Sequence, residues 1–214
     1  MPDFTDPALF PAFYELPSDV EIASAPAEGV EAASWWMLAQ VKVNMTLTKP
    51  TLIVTDRRGL DFAVTFEDTS MDLKGYKKGY TMVVPRAQRT DREEGKKAVM
   101  RIDAGNCKSV QVSISGSITE GPIADDERLE QVIPAKMEHL LELGQVLDMV
   151  RGDEAEGKEL KCGACGKTDA TLSKCTGCGI VRYCSKECQL KGWSELGHKS
   201  NCKSLKAIKT IWPS

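Results

Sequence analysis

Hydrophobic and polar residues alternate with a period of two between residues 41 and 114, which is the pattern of strands with one buried face. The alternating runs cover residues 41–45, 60–66 and 110–114. Residues 56–59 and 103–106 contain the aspartate, asparagine and glycine that tolerate turn dihedrals. Five or six strands so close in sequence favour an antiparallel small barrel or curled sheet, because parallel strands need crossover helices.

An amphipathic helix is predicted after these strands. Pro134 suits its first position, and Gly152 suits the residue just past its last. One apolar face recurs at spacings of three and four: Met137, Leu140, Leu143, Leu147 and Val150. We expect this face to pack on the sheet.

The remaining segments define the domain organisation. Residues 1–33 are acidic, rich in proline and alanine and without periodicity, so we expect a partly ordered arm. Residues 152–159 carry charges and two glycines with almost nothing to bury, which indicates a hinge. We predict an α+β protein with an acidic arm (1–33), a small β domain with its C-terminal helix (34–151), a hinge (152–159), a cysteine-rich module (160–203) and a short tail (204–214).

Composition and charge are those of a protein with a buried core. The 214 residues are 42% hydrophobic and 28% charged, with a net charge of -3. No stretch approaches the roughly 20 apolar residues that a membrane-spanning helix needs. The first residues lack the basic and then apolar pattern of a secretory signal. We therefore expect an intracellular protein of the nucleus or cytoplasm that does not associate with membranes.

Seven of the eight cysteines and one of the two histidines lie after residue 160. The spacing is Cys162-x2-Cys165-x9-Cys175-x2-Cys178-x5-Cys184-x3-Cys188-x9-His198-x3-Cys202. Eight such ligands form two tetrahedral zinc sites. The x2 pairs form tight knuckles, and the x3 pairs place two ligands on one helical face. A disulfide-linked module would need an oxidising compartment and would leave the histidine unexplained.

The sequence around the fifth and sixth cysteines resembles the MYND zinc finger. Residues 181–189 read Val-Arg-Tyr-Cys-Ser-Lys-Glu-Cys-Gln, and Trp193 and His198-Lys199 follow. The resemblance covers about a fifth of the chain. Spacing alone permits either sequential or interleaved pairing. The resemblance implies interleaving, with Cys162, Cys165, Cys184 and Cys188 on one zinc ion and Cys175, Cys178, His198 and Cys202 on the other.

The resemblance also implies a function in protein interaction. Closed tetrahedral sites leave no position for an activated water, so we expect the zinc ions to be structural. Fingers of this family bind short proline- and leucine-containing motifs, in some cases in transcriptional regulation. The residues that correspond here are Gln189 and Trp193, which share one face of a helix predicted to begin near Ser185. Trp193 could equally be the core of so small a module.

Nucleic-acid binding is one alternative, because ten basic and only three acidic residues lie from Leu160 onward. Seven thiolates and two zinc ions lower the net charge of this segment from +7 to about +4. The strand region also offers few aromatic residues for base stacking. We therefore expect protein partners and no nucleic acid.

An enzyme is the second alternative, because MYND fingers accompany lysine methyltransferase domains and the chain could be a remnant or accessory of one. The strand pattern is too short for such a domain, and no counterpart of its cofactor motif is found. Cys107 and His139 lie outside the cysteine-rich module, and no third group completes a catalytic set. We predict no enzymatic activity.

Overall fold

The structure is a computed structural model that describes residues 2–24, 35–104, 132–143, 160–168 and 171–212. The chain divides into two compact units. The first, here called the sheet unit, is Phe4–Met137, and the second, here called the finger unit, comprises Met1–Asp3 and Glu138–Ser214.

Six strands form the sheet of the sheet unit. They are β1 (Trp36–Asn44), β2 (Thr51–Thr55), β3 (Asp61–Phe66), β4 (Thr81–Pro85), β5 (Met100–Ile102) and β6 (Val132–Ile133). Their order is β5-β3-β2-β1-β4-β6, and neighbours are antiparallel except β3 and β5, which are parallel. The chain therefore has mixed α and β content, with a curled six-stranded sheet in the sheet unit, and the parallel pair departs from the expected all-antiparallel pairing.

The alternation predicted for β3 is confirmed. Phe62, Val64 and Phe66 are all buried in the hydrophobic core, and Leu60 packs against it. The turn predicted before β3 is also present, with Gly59 at a φ of 81° and its amide donating to the carbonyl of Asp56. The residues predicted at 110–114 lie outside the described part of the chain.

The alternation expected in β1 is interrupted. Val41 is buried at 1% exposure, but Val43 and Met45 are 46% and 51% exposed. The pairing of β1 with β2 shifts register between Val41 and Val43. Because a one-residue shift moves every later side chain to the opposite face, these residues do not form the single buried face that the sequence predicts.

The N-terminal segment contains a closely packed part, whereas the sequence predicts a partly ordered arm over residues 1–33. Phe4, Phe10, Phe13 and Leu16 are each at most 2% exposed. The ring of Phe13 stacks on that of Phe62, with centroids 4.0 Å apart. A 3-10 turn (Phe13–Glu15) and a helix α1 (Asp19–Ser24) follow. Single aromatic anchors rather than a repeating pattern order this segment, so periodicity does not reveal it.

The segment after β6 bonds to the sheet through two polar side chains. The Oγ1 hydroxyl of Thr81 donates to the carbonyl of Ala135 at 2.8 Å, and the Oε1 atom of Gln40 accepts from the amide of Met137 at 2.9 Å. A helix, α2, begins at residue 137, three residues after the predicted start, and is described to residue 143. From Glu138 onward its residues belong to the finger unit. The predicted remainder of this helix and the predicted hinge lie outside the described residues.

The finger unit contains a small antiparallel hairpin and two further helices. The hairpin consists of β7 (Ser173–Lys174) and β8 (Arg182–Tyr183), and the helices are α3 (Lys186–Ser194) and α4 (His198–Ile211). The start of α3 agrees with the prediction, because the side chain of Ser185 caps the helix by accepting from the amide of Cys188. None of the helices in the described residues is both long and apolar enough to cross a bilayer.

Candidate metal centre

The two Cys-x2-Cys pairs form two knuckles with the same backbone pattern. In the first, the amide of Gly166 donates to the carbonyl of Cys162 at 2.9 Å, and in the second, Gly179 donates to Cys175 at 2.8 Å. The φ angles of these glycines are 73° and 65°. These φ angles lie in the left-handed region, which glycine adopts without strain. The resulting turn places both sulfurs of a knuckle on the same side.

Short elements bring the other ligands to the knuckles. Cys184 follows β8 directly, and its amide lies 3.4 Å from the Sγ atom of Cys162. Cys188 lies in the first turn of α3. His198 and Cys202 lie one turn apart in α4, which starts after Gly197 at a φ of 74°. The sequence predicts both ligands of each x3 pair on one helical face, and His198 and Cys202 are arranged in this way on α4. The prediction is wrong for the other pair, because Cys184 precedes Ser185, the N-cap of α3, and only Cys188 lies on the helix.

The eight side chains gather into two groups of four, within each of which all ligand atoms lie within 4.8 Å of one another. The first group, here called the outer cluster, is Cys162, Cys165, Cys184 and Cys188. The second, here called the inner cluster, is Cys175, Cys178, His198 and Cys202. These are the interleaved sets that the family resemblance implies, and the sequential pairing does not occur.

The distances within the clusters fit zinc. Tetrahedral zinc with thiolate bonds of about 2.3 Å places two sulfurs about 3.8 Å apart. The Sγ atom of Cys184 lies 3.5 Å from that of Cys165 and 3.6 Å from that of Cys188 in the outer cluster. In the inner cluster the Sγ atoms of Cys175 and Cys202 are 3.9 Å apart.

The histidine of the inner cluster faces the same centre. Its Nε2 atom lies 3.3 Å from the Sγ atom of Cys175 and 3.8 Å from that of Cys178. A zinc ion with one imidazole ligand needs a nitrogen-to-sulfur separation of about 3.6 Å. The chain is therefore compatible with two zinc ions, one bound by the four cysteines of the outer cluster and one by the three cysteines and the histidine of the inner cluster.

The two clusters differ in exposure to solvent. All four residues of the inner cluster are buried. In the outer cluster Cys162 is buried, Cys184 and Cys188 are half-buried, and Cys165 is exposed. The outer site is therefore the more accessible to solutes.

Backbone amides, burial and neighbouring thiols shift the pKa values of the ligands in opposite directions. Burial raises the pKa of Cys162, but hydrogen bonds from three backbone amides outweigh it and lower the pKa to about 6. Hydrogen bonds to neighbouring thiols raise the pKa of Cys184 to about 12, and burial together with adjacent thiolates raises that of Cys202 to about 12. Burial lowers the pKa of His198, which favours its neutral, metal-binding form. The raised pKa values mean that neighbouring thiols of one cluster do not all ionise by themselves. A bound cation offsets the charge of the thiolates and allows all of them to lose their protons.

An aromatic pair lies beside the inner cluster. Tyr183 is 3% exposed and its ring centroid lies 6.0 Å from that of His198, at an interplanar angle of 78°. Burial and then the nearby thiolates raise the pKa of its hydroxyl to about 12. The ring of Trp193 lies 5.6 Å from the His198 ring on the same finger.

The two residues predicted to contact peptide both lie on the surface of α3. Gln189 is exposed, and Trp193 is 39% exposed. The contact of Trp193 with His198 means that the side chain is also part of the packing around the inner cluster. Leu190 and Leu196, for which the sequence predicts no role above, are also exposed, and their spacing of three residues on either side of Trp193 is the signal that identifies them.

The two residues considered as spare catalytic groups have other positions. Cys107 lies outside the described residues. His139 lies in α2, where its Nε2 atom is 2.7 Å from the Oδ1 atom of Asn201 and its Nδ1 atom is 3.3 Å from a carboxylate oxygen of Glu142.

Comparison with protein families agrees with this geometry. Residues 162–202 match the family model of the MYND finger, so this part of the chain is a MYND finger. The match begins and ends at the first and last of the eight ligands. The finger is thus a zinc-binding finger of the MYND type.

Two similar proteins carry enzyme names. Ubiquitin carboxyl-terminal hydrolase 19 of Arabidopsis thaliana is 43% identical over 60 residues, which is 28% of this chain and 8% of that protein. Histone-lysine N-methyltransferase SMYD3 of Homo sapiens is 38% identical over 52 residues, which is 24% of this chain and 12% of that protein. The chain therefore matches only a small part of these relatives. No solved structure matches the chain.

Proposed function

We propose that the MYND finger of residues 162–202 docks short extended segments of partner proteins that contain proline and leucine, with Gln189 and Trp193 as the docking surface. The observation that carries the proposal is the exposure of both side chains one turn apart on α3, with Trp193 at 39%. Tryptophan offers apolar area to proline rings, and a neighbouring amide hydrogen-bonds an extended backbone.

Two exposed leucines enlarge the apolar part of this surface. Leu190 is 61% exposed and Leu196 is 51% exposed. Together with Trp193 they place three large apolar side chains within seven residues of a small, highly charged module. Several large exposed apolar side chains so close in sequence support an interaction site, because single exposed apolar residues are normal whereas grouped ones mark interaction surfaces.

We propose a structural role for both zinc ions and no enzymatic activity for the chain. Each cluster supplies four ligands, which complete a tetrahedron and leave no coordination position for a reacting water. The similarity to a hydrolase and a methyltransferase covers too little of those proteins to transfer their activities. Family resemblance supports transcriptional regulation as the setting, and a reporter assay with the promoter-tethered chain should lose its response in Trp193→Ala.

A titration of the full chain with a synthetic proline- and leucine-containing peptide tests the docking surface. We expect Trp193→Ala to abolish binding and Gln189→Ala to weaken it about fivefold, the effect of one lost hydrogen bond of about 1 kcal/mol. Leu47→Ala is the matched control, because Leu47 is an 89% exposed apolar side chain of the sheet unit. The zinc content of each variant is measured beside its affinity.

The result that overturns the docking surface is unchanged affinity in Trp193→Ala with two zinc ions still bound. If Trp193→Ala loses zinc, the residue is structural, and the exposed Gln189→Ala and Leu190→Ala variants decide the question. Unchanged affinity in both of these would place any peptide site elsewhere.

A further inference from the structure

Three lysines form a basic stripe along the solvent face of α4. Lys199, Lys203 and Lys206 are all exposed, and their spacing of four and three residues places them on one side of the helix. The opposite side carries the buried residues of the helix, among them Cys202, Leu205 and Ile208. The stripe is therefore directed away from the zinc sites and toward solvent.

No acidic partner neutralises the stripe within the described residues. The helix α4 has the sequence HKSNCKSLKAIKTI, which contains no acidic residue. The ion pairs found among the described residues do not involve Lys199, Lys203 or Lys206. The neighbouring Lys209 differs, because its Nζ atom lies 3.4 Å from the carbonyl oxygen of Gly179 and so reaches back onto the finger.

The stripe begins one residue after His198, which the ring of Trp193 contacts. The ring of Trp193 lies 5.6 Å from the ring of His198, the first residue of α4, and Lys199 is the next residue. From Lys199 to Lys206 the helix rises about 10 Å. An extended segment covers this distance with about three residues. A flank of about three extended residues beside a motif is therefore long enough to span the three lysines.

We propose that the finger selects proline- and leucine-containing segments that carry a run of about three or four acidic residues on one side, and that Lys199, Lys203 and Lys206 bind this acidic flank. The inference rests on the proposed docking function. Charge complementarity identifies the occupant, because a basic row that has no ion pair among the described residues, and that follows the apolar surface closely in sequence, fits an acidic extension of the same ligand. A nucleic acid gains little from base stacking here, because Trp193 is the one exposed aromatic side chain among the described residues of the finger unit.

The test uses the full zinc-loaded chain and a set of synthetic peptides with one proline- and leucine-containing core. The flanks are neutral, acidic on the N-terminal side, or acidic on the C-terminal side. We expect one acidic peptide to bind roughly tenfold more tightly than the neutral one at low salt, the sum of three exposed charge pairs, and to lose this advantage at about 1 M salt.

Two triple variants distinguish an effect of the three stripe lysines from an effect of the net charge of the chain. Lys199→Gln, Lys203→Gln and Lys206→Gln combined should remove the preference for the acidic flank and leave the affinity for the neutral peptide unchanged. The matched control combines Lys74→Gln, Lys77→Gln and Lys78→Gln, which removes the same charge from exposed lysines of the sheet unit and should keep the preference.

The possible outcomes are distinguishable. If the neutral peptide binds and neither acidic flank improves it, the stripe inference is wrong and the docking function stands. If no peptide binds, the proposed docking function is wrong, and the inference that rests on it is overturned with it. If a DNA duplex or single-stranded RNA of mixed sequence competes through the same three lysines and binds more tightly than the acidic peptide, the stripe is a nucleic-acid surface and the inference is overturned.

Discussion

Gly192 packs so closely against the ring of Tyr183 that no side chain fits between them. A Cβ atom on Gly192 would lie 2.4 Å from Cε1 and 2.5 Å from the hydroxyl oxygen of Tyr183. Glycine in a helix interior normally costs about 0.5–1 kcal/mol relative to alanine. Its presence in α3 is explained by this contact, which lets the helix that carries Cys188 approach the strand that precedes Cys184.

The Gly192→Ala variant should destabilise the finger although alanine is the better helix former. The added methyl must displace Tyr183, which is 3% exposed, and overpacking of this kind costs about 1–3 kcal/mol. Reactivity of the finger thiols toward a disulfide reagent at equal zinc concentration measures the effect, and we expect faster reaction. Lys191→Ala, at the exposed neighbouring position of the same helix, should react like the unchanged chain. Equal reactivity of Gly192→Ala would show that the contact is not tight.

The sequence predicts the strands best where a single period is uninterrupted. Residues 60–66 keep a strict alternation, and β3 follows it. The bulge in β1 cannot be read from the sequence, because Val41, Val43 and Met45 alternate as if no residue were inserted. The parallel pairing of β5 with β3 depends on contacts between distant segments and not on local pattern. Local periodicity thus identifies strands but not their register or partners.

The sequence predicts the metal centre better than the sheet, because the ligands are only cysteine and histidine and occur in pairs with short, fixed spacings. The knuckle and helix-turn spacings determine which ligand pairs stay together, but tertiary contacts determine how the pairs combine. Two of these contacts are the hydrogen bond from the amide of Gly163 to Arg182 and the 3.4 Å approach of the Cys184 amide to the sulfur of Cys162. Neither contact has a sequence signal of its own, so the interleaving needed either family resemblance or a structure.

The outer cluster should lose zinc before the inner cluster. Cys165 is exposed and two further ligands are half-buried, whereas all inner-cluster ligands are buried. A chelator that replaces ligands one at a time therefore attacks the outer site first. A metal-binding dye should record zinc release in two phases of equal amplitude.

Ligand variants assign these phases. Cys165→Ser should remove the fast phase and keep the slow one, because it breaks only the outer cluster. Cys178→Ser, the corresponding knuckle residue of the inner cluster, is the matched variant and should remove the slow phase. A fast phase that persists in Cys165→Ser, or a single phase in the unchanged chain, would contradict the order.

Asp56 should be a stability determinant of the sheet unit. It is 4% exposed, its Oδ1 atom accepts from the amides of Arg58 and Leu60, and its Oδ2 atom accepts from the amide of Phe13 at 3.0 Å. Asp56→Asn retains one carbonyl oxygen and leaves one buried amide without an acceptor, which costs about 1–3 kcal/mol. Asp56→Ala loses both oxygens and should cost more. Urea unfolding followed by far-ultraviolet circular dichroism measures the difference.

The control for Asp56 is Asp72→Asn, in which an exposed turn aspartate that accepts from the amide of Lys74 is replaced. Water can satisfy that amide, so we expect a change below about 0.5 kcal/mol. Equal destabilisation by Asp56→Asn and Asp72→Asn would mean that burial of the Phe13 amide carries no penalty.

Zinc removal should unfold the finger and leave the sheet unit folded. The large hydrophobic core has all its members between Phe13 and Val132, within the sheet unit, so its packing does not depend on the metal. Among the described residues from 162 to 202, the buried side chains are zinc ligands and Tyr183, and modules of about 40 residues usually need a metal or disulfides to fold. Hydrogen exchange in the presence of a chelator and a reductant should show loss of amide protection in α3 and the hairpin of β7 and β8, with protection retained in β1, β2 and β3.

Readdition of zinc should restore the lost protection, which distinguishes reversible unfolding from oxidation of the cysteines. Loss of protection in both units would show that the sheet depends on the finger, and retained protection in α3 would show that side-chain packing alone folds it.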